Sequence, residues 1–195
     1  PRIPNIPGLD DVRFHTSATI MRVPTPPRRL AILGGGFIAC EMGHVFQAAG
    51  SHVTMINRSQ QLLRAHDDEI SERFTQVFGE RFDLRCGETP TQVRYEGDEI
   101  IIEFPTGDPL VVDELLVATG RIPNGEQLAV AETGVEINES GYVVVDDHQR
   151  TGVDGIWALG DISNPMQLKH TANAETKVVA HNIHNPDDLQ IVNYS

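Results

Sequence analysis

The chain has 195 residues, 15 of them lysine or arginine and 28 aspartate or glutamate, which leaves a formal net charge of −13. A composition of 39% hydrophobic and 22% charged residues excludes a disordered or fibrous chain, and the acidic balance argues against a nucleic-acid groove while leaving room for a small anion held by local donors. No apolar run approaches the roughly 20 residues that cross a bilayer, and two cysteines, Cys40 and Cys86, are too few for a secreted disulfide scaffold, so a reducing, cytoplasmic setting is expected.

The opening PRIPNIPGLDD reads as a linker or a chain already in progress. Prolines at 1, 4, 7, 24, 26 and 27 oppose helix and central strand, so residues 1–28 are expected to be an extended crossover with at most a short helical turn near Ser17–Arg22. Leu30–Leu33 then suits a strand buried on both faces. Ile38, Met42, Val45, Phe46 and Ala49 recur at helical spacing, with Gly50 as the C-terminal stop, and His52–Ile56 reads as a second strand. Asp67, Asp68 and Glu69 place carboxylates at a helix start, with Ile70, Phe74, Val77 and Phe78 as its apolar stripe. From Asp83 to Thr119 the pattern is β: a hairpin turn at Tyr95–Asp98, then strands at Glu99–Phe104 and Leu110–Thr119. Two more strands are expected at Gly141–Asp146 and Gly155–Gly160, and a last helix from about His170 to His184. Alternation of strand and helix followed by a small β-meander points to an α/β nucleotide-binding domain.

Gly34-Gly35-Gly36-Phe37-Ile38-Ala39 fits G-x-G-x-x-A between the first strand and the first helix. Gly34 permits the tight turn, Gly36 lets the backbone approach a pyrophosphate, and Ala39 lets helix and strand pack closely. Amides and dipole at the helix start then receive the anion. About 20 positions on, where NAD sites carry a carboxylate for the ribose 2′-hydroxyl, stands Ile56-Asn57-Arg58-Ser59, with Arg64 shortly after. Two guanidiniums can grip a 2′-phosphate that a carboxylate would repel, so NADPH is the expected nucleotide. The alternative gives Arg64 to Asp67 or Asp68 and leaves Arg58 a solvated loop charge.

Further along, VATGRIPN closes a strand with Gly120-Arg121, WALGD closes another with Gly160-Asp161, and Leu168-Lys169-His170 opens the last helix. Each has an ordinary reading as a strand end or cap. His181 and His184 lie three apart, yet a metal site needs more ligands with a supporting shell, so none is expected. Cys40 and Cys86 form no CxxC, and Cys40 reads as a small core residue.

As an ordered set, LGGGFIACE, INRSQQLLR, VATGRIPN and WALGD resemble the flavoprotein pyridine-nucleotide disulfide oxidoreductases, the group of glutathione reductase, dihydrolipoamide dehydrogenase and mercuric reductase. FHTSATIMR, LLRAHDDEISERFT, DDHQRT and LKHTANAE further resemble the branch acting on mycothione. The resemblance implies a Rossmann-like FAD/NAD(P)-binding α/β fold with a β-meander, plus part of a second, interrupted FAD-binding domain. Residues 1–11 would be a crossover, 12–123 the NADPH-binding domain and 124–195 the C-terminal part of the FAD-binding domain.

It also implies roles for particular residues. Gly34, Gly35, Gly36 and Ile38 would line the NADPH pyrophosphate and ribose. Phe37 would be the aromatic gate over the flavin, and Glu41 the catalytic carboxylate beside flavin and nicotinamide. Arg58, Ser59 and Arg64 would hold the 2′-phosphate. Gly120, Arg121, Gly160 and Asp161 would contact FAD, and Gln167, Leu168, Lys169 and His170 would face the flavin pyrimidine edge, where a helix N-terminus favours negative charge. The family's CxxxxC, its FAD fingerprint and its C-terminal interface domain are not in this sequence, so the resemblance implies an internal portion of a homodimeric enzyme, inactive by itself. Reduction of a small-molecule disulfide, mycothione first, is the implied activity. Other flavin oxidoreductases, of lipoamide or mercuric type, and a non-catalytic nucleotide-binding module are the alternatives.

Overall fold

The structure is a computed structural model and describes residues 1–194, the side chain of residue 131 apart. It divides into two units, Pro1–Arg121 and Ile122–Ser195. In the first, the elements in chain order are β1 (Arg29–Leu33), α1 (Phe37–Ala48), β2 (His52–Asn57), α2 (Asp68–Gly79), β3 (Asp83–Cys86), β4 (Gln92–Glu96), β5 (Glu99–Glu103), β6 (Leu110–Val112) and β7 (Glu114–Val117). A four-stranded sheet in the order β3-β2-β1-β7 is parallel throughout, and a three-stranded antiparallel sheet runs β4-β5-β6.

The central strand β1 explains the layering. Leu30 and Ile32 face one way, into a core with Ala39, Cys40 and Phe46 of α1, Phe78 of α2 and Phe82. Ala31 and Leu33 face the other way, against Val93, Ile100, Ile102 and Val112 of the meander. Helices thus cover one face of the parallel sheet and the meander covers the other, which is why β1 is apolar without alternation. Phe74, Phe78 and Phe82 stack in series, with ring centroids 4.2 and 4.6 Å apart.

Several expectations need correction. The crossover of residues 1–28 carries two 3-10 turns, Leu9–Asp11 and Ile20–Arg22, and it is part of the core: Ile6, Leu9 and Val12 join the meander side and Ile20 the helix side. In α2 the inward face is Ser71, Phe74, Thr75 and Phe78, while Ile70 is 56% exposed and Val77 is at the surface. Ser71 and Thr75 face inward because α2 packs on a loop with backbone groups to satisfy: Ser71 Oγ donates to Leu63 O at 2.9 Å and Leu62 N donates to Thr75 Oγ1 at 2.8 Å. The run expected as one strand, Leu110–Thr119, breaks at Asp113. Residues before it pair with β5, and those after it pair with β1.

In the second unit, helix α3 (Lys169–His184) matches the expected helix. The strands expected at Gly141–Asp146 and Gly155–Gly160 are not strands. Among the described residues they form only single bridges, Ile137 with Val143 and Arg150 with Trp157, because their backbone hydrogen bonds go to scattered partners instead of one continuous ladder: Val143 N donates to Ile162 O, Val144 N to Glu136 O, Asp146 N to Arg150 O and Ala158 N to Gln149 O. Val130, Val135 and Val143 form that unit's apolar cluster.

Arg29 fastens the break at Asp113. Its backbone N–H and Nε donate to the Asp113 carboxylate at 2.8 and 3.1 Å, its Nη2 donates to the same carboxylate, and it also reaches Glu99 at 2.6 Å. The guanidinium's hydrogen bonds hold the Asp113 carboxyl below its ordinary range, against the opposing pull of partial burial. A depressed folded value contributes stability that is fully present above the unfolded aspartate value of about 3.9 and is lost as pH falls through the folded value. Asp113→Ala is therefore expected to lower the melting temperature at neutral pH, and the gap from the unaltered chain to close progressively below about pH 3.9, followed by circular dichroism.

Candidate functional site

The C-terminal ends of β1, β2 and β7 open onto a concavity of about 670 Å³ within the first unit, the crevice position expected of a parallel α/β sheet. The three glycines after β1 differ in what surrounds them. Gly34 has φ +128°, and a Cβ there would lie 2.3 Å from Ala118 O. Its N–H donates to Ile56 O at 2.9 Å, and Ala118 N donates to Leu33 O at 2.8 Å, so the turn is pinned between the exits of β2 and β7. A Cβ on Gly35 would meet the Asn57 side chain at 2.6 Å. Gly36 is exposed with extended backbone, and a Cβ there would meet nothing within 4 Å. The first two glycines serve packing, and the third presents bare backbone to open space at the start of α1. A pyrophosphate needs such a cradle, so the residues present fit a dinucleotide.

Gly34, Gly35, Gly36, Phe37, Arg58, Ser59, Arg64 and Gly120 line this concavity together, with Arg2, Asn57, His66 and Glu88 among the other walls. Phe37, the first residue of α1, is 51% exposed at the mouth. Half-buried Ile38 and exposed Glu41 also lie on α1 but are not part of the lining. Arg58 and Arg64 are exposed and, among the described residues, neither is in an ion pair, so the alternative pairing of Arg64 with Asp67 or Asp68 is not formed. Two uncommitted guanidiniums beside a bare glycine turn make a local cationic site on an acidic protein. Sequence reasoning treated Asn57 only as a missing carboxylate. In the structure it is buried, and its Nδ2 donates to Ser59 O at 2.9 Å and Gln61 O at 2.8 Å.

The second unit holds Gly160, Asp161, Gln167, Leu168, Lys169 and His170. Gly160 is buried with φ +73°, and its N–H donates to Glu175 Oε2 at 2.6 Å. Glu175 is completely buried, also accepting from Asn164 Nδ2 at 2.6 Å and from the Tyr194 hydroxyl at 3.0 Å. That carboxylate fixes the turn on which exposed Asp161 stands. Gln167 has φ +53° and donates from Nε2 to the Tyr142 hydroxyl at 3.0 Å, setting the approach to α3, whose first residues Lys169 and His170 are exposed after exposed Leu168. An exposed carboxylate on a rigid turn and an open helix start, with its amides and positive dipole end, fit the hydroxyls and pyrimidine edge of a flavin cofactor. Glu175 escaped sequence reasoning. Of the three residues that α3 buries, Glu175, Val179 and Asn182, two are polar, so no apolar stripe marks its inward face. Arg121, by contrast, belongs to the first unit, exposed directly after Gly120.

Both cysteines are reduced. Burial pushes the Cys40 thiol up to about 12, with the neighbouring Glu41 charge and Cys86 adding to it, and burial also raises half-buried Cys86. Neither is a thiolate nucleophile near neutral pH. Among the described residues no cluster of three His, Cys, Asp or Glu side chains could hold a metal ion, and no helix is long and apolar enough to cross a membrane.

The family model described as "Pyridine nucleotide-disulphide oxidoreductase" matches residues 1–176. A mycothione reductase from Mycobacterium tuberculosis is 42% identical over 183 residues, covering 94% of this chain and 40% of that protein. A mercuric reductase from Bacillus cereus is 36% identical over 183 residues, covering 92% of this chain and 29% of that protein. Among solved structures, the HOCl-induced flavoprotein disulfide reductase RclA from Escherichia coli superposes with a TM-score of 0.89 at 25% identity, over 98% of this chain and 44% of that one. The chain thus spans two fifths or less of the length of these two curated relatives.

The glycine environments separate experimentally. Gly34→Ala is expected to cost more than about 2 kcal/mol of unfolding free energy in urea, through backbone strain and collision with Ala118, whereas Gly36→Ala is expected to stay within about 0.5 kcal/mol of the unaltered chain.

Proposed function

Given that this chain belongs to the pyridine nucleotide-disulphide oxidoreductases, a family that uses FAD and NAD(P)H, we propose that residues 12–123 are the NADPH-binding domain of a flavoprotein disulfide reductase. Residues 1–11 are its crossover and 124–195 a part of its FAD-binding domain. The substrate we infer is a low-molecular-weight disulfide, mycothione first, on the strength of the 42% identity to a mycothione reductase. The observation carrying the nucleotide assignment is the pair Arg58 and Arg64, exposed on the concavity and outside any ion pair among the described residues, where an amide, Asn57, replaces a carboxylate.

When bound, the two cofactors supply hydride transfer and a two-electron relay towards a disulfide. The chain's own residues bind and orient. The Gly34–Gly36 turn and the first amides of α1 receive the pyrophosphate, with Ile38 towards the ribose. Arg58, Arg64 and the Ser59 hydroxyl hold the 2′-phosphate through charge-assisted bonds. Phe37, exposed at the mouth, would be the aromatic gate that a nicotinamide displaces, and Glu41, one turn along α1, would supply the carboxylate on the nicotinamide side. In the second unit Gly160 and Asp161 would hold FAD, and the start of α3, from Gln167 through His170, would offer its positive end to the pyrimidine edge of a flavin. Substrate reduction requires a cysteine pair that this chain does not contain, since buried Cys40 and half-buried Cys86 both have raised thiols.

Two outcomes test the reading. Arg58→Ala is expected to weaken NADPH binding by roughly 10- to 100-fold while NADH affinity changes less than about twofold, measured by isothermal titration calorimetry; an equal loss for both nucleotides removes the assignment. The 195-residue chain, supplied with NADPH, FAD and mycothione, is expected to show no disulfide-dependent NADPH oxidation, and measurable turnover would refute the external cysteine pair.

A further inference from the structure

We infer that Asn57 sets the preference for a 2′-phosphorylated nucleotide by positioning the arginine loop, rather than only by withholding a carboxylate; the inference rests on the NADPH reading above. Asn57 ends β2, and its side chain is buried and turned inward. Its amide donates to Ser59 O and Gln61 O, so residues 58–61 wrap around a single side-chain nitrogen. The main chain closes the same turn from the side of β3: Glu88 N donates to Asn57 O at 3.2 Å and Gly87 N to Ser59 O at 3.1 Å. The same side chain fills the space where a Cβ on Gly35 would sit. One residue therefore touches both the phosphate cradle and the loop that launches Arg58.

Substitutions at this position separate two explanations. Aspartate matches asparagine in size, but its oxygens only accept, so two hydrogen bonds to carbonyls become two repulsions besides the added charge. Leucine has nearly the same shape, no charge and no donor; it leaves the Gln61 carbonyl without that donor and the Ser59 carbonyl with Gly87 N alone, and it loosens the loop. A guanidinium discriminates a phosphate well only when its fork is held in place, because a mobile arginine must be ordered on binding. If charge exclusion alone mattered, leucine would serve as well as asparagine.

The other end of the loop offers an independent handle. Thr75 on α2 lies outside the concavity and accepts from Leu62 N at 2.8 Å, while Ser71 Oγ donates to Leu63 O at 2.9 Å. Loosening Thr75 disturbs the loop without touching either the nucleotide pocket or Asn57.

The test is calorimetric titration of the 195-residue chain with adenosine 2′,5′-bisphosphate and adenosine 5′-monophosphate, which differ only in the 2′-phosphate. The unaltered chain is expected to prefer the bisphosphate by about tenfold or more. Asn57→Leu is expected to lower affinity for the bisphosphate several-fold more than affinity for the monophosphate, so that most of the preference is lost, and Thr75→Val to lose about two- to threefold of the preference in the same direction. Circular dichroism melting checks that each variant folds, and Thr75→Val decides the matter if Asn57→Leu does not. An unaltered chain that prefers the bisphosphate, together with folded variants that keep the full preference, overturns this inference and leaves the NADPH reading standing. A fall of equal size for both probes also overturns it, since that is what a purely structural role gives. Equal affinity of the unaltered chain for the two probes overturns the NADPH reading and this inference together.

Discussion

The Ala118 carbonyl oxygen occupies the space a side chain on Gly34 would need, 2.3 Å from the position of a Cβ, and the Asn57 side chain does the same to Gly35 at 2.6 Å. This close approach of three strand exits, β1 between β2 and β7, is the constraint on which the open end of the sheet depends. It aims α1 at the concavity, leaves the backbone of Gly36 bare, and fixes the start of the loop bearing Arg58 and Arg64. Without glycine at the first two positions the strands would have to separate, and packing of Leu30 and Ile32 against α1 would be lost with them.

Charge is arranged against the overall balance of the molecule. A net charge of −13 describes the whole chain, yet the rim of the concavity carries Arg2, Arg58 and Arg64. Two arginines outside the concavity are consumed in structure. Arg29 joins the parallel sheet to the meander through Asp113 and Glu99, and Arg94 ties Glu96 and Glu103 on the outer hairpin. Guanidiniums committed in this way build the scaffold, whereas Arg58 and Arg64 keep their donors for an anion, because an anion is gripped only by donors not already satisfied.

The second unit uses a different device for the same purpose. Gly160 and Asn164 both donate to one buried carboxylate, Glu175, which Tyr194 also reaches, so a turn on the surface is held by a charge in the interior. Burying a carboxylate is costly unless its oxygens are satisfied, and here three donors satisfy them. The result is a rigid Gly160-Asp161 corner within a unit that has little regular sheet of its own.

The amino-acid sequence by itself determined the order of strand, glycine turn and helix, the two-sided burial of Leu30–Leu33, the hairpin turn at Tyr95–Asp98 and the last helix, because each rests on local spacing or on the conformational needs of single residues. It also marked Arg58 and Arg64, though without deciding whether Arg64 was spent on Asp67 or Asp68. Tertiary structure decided that question, and decided which face of α2 is buried, where the Leu110–Thr119 run divides between two sheets, and that Gly141–Asp146 makes one bridge instead of a strand. Asn57 and Glu175 became legible only in three dimensions. Their work is to satisfy backbone and side-chain groups brought near by folding, and a hydrogen bond between segments leaves no periodicity in the chain that makes it.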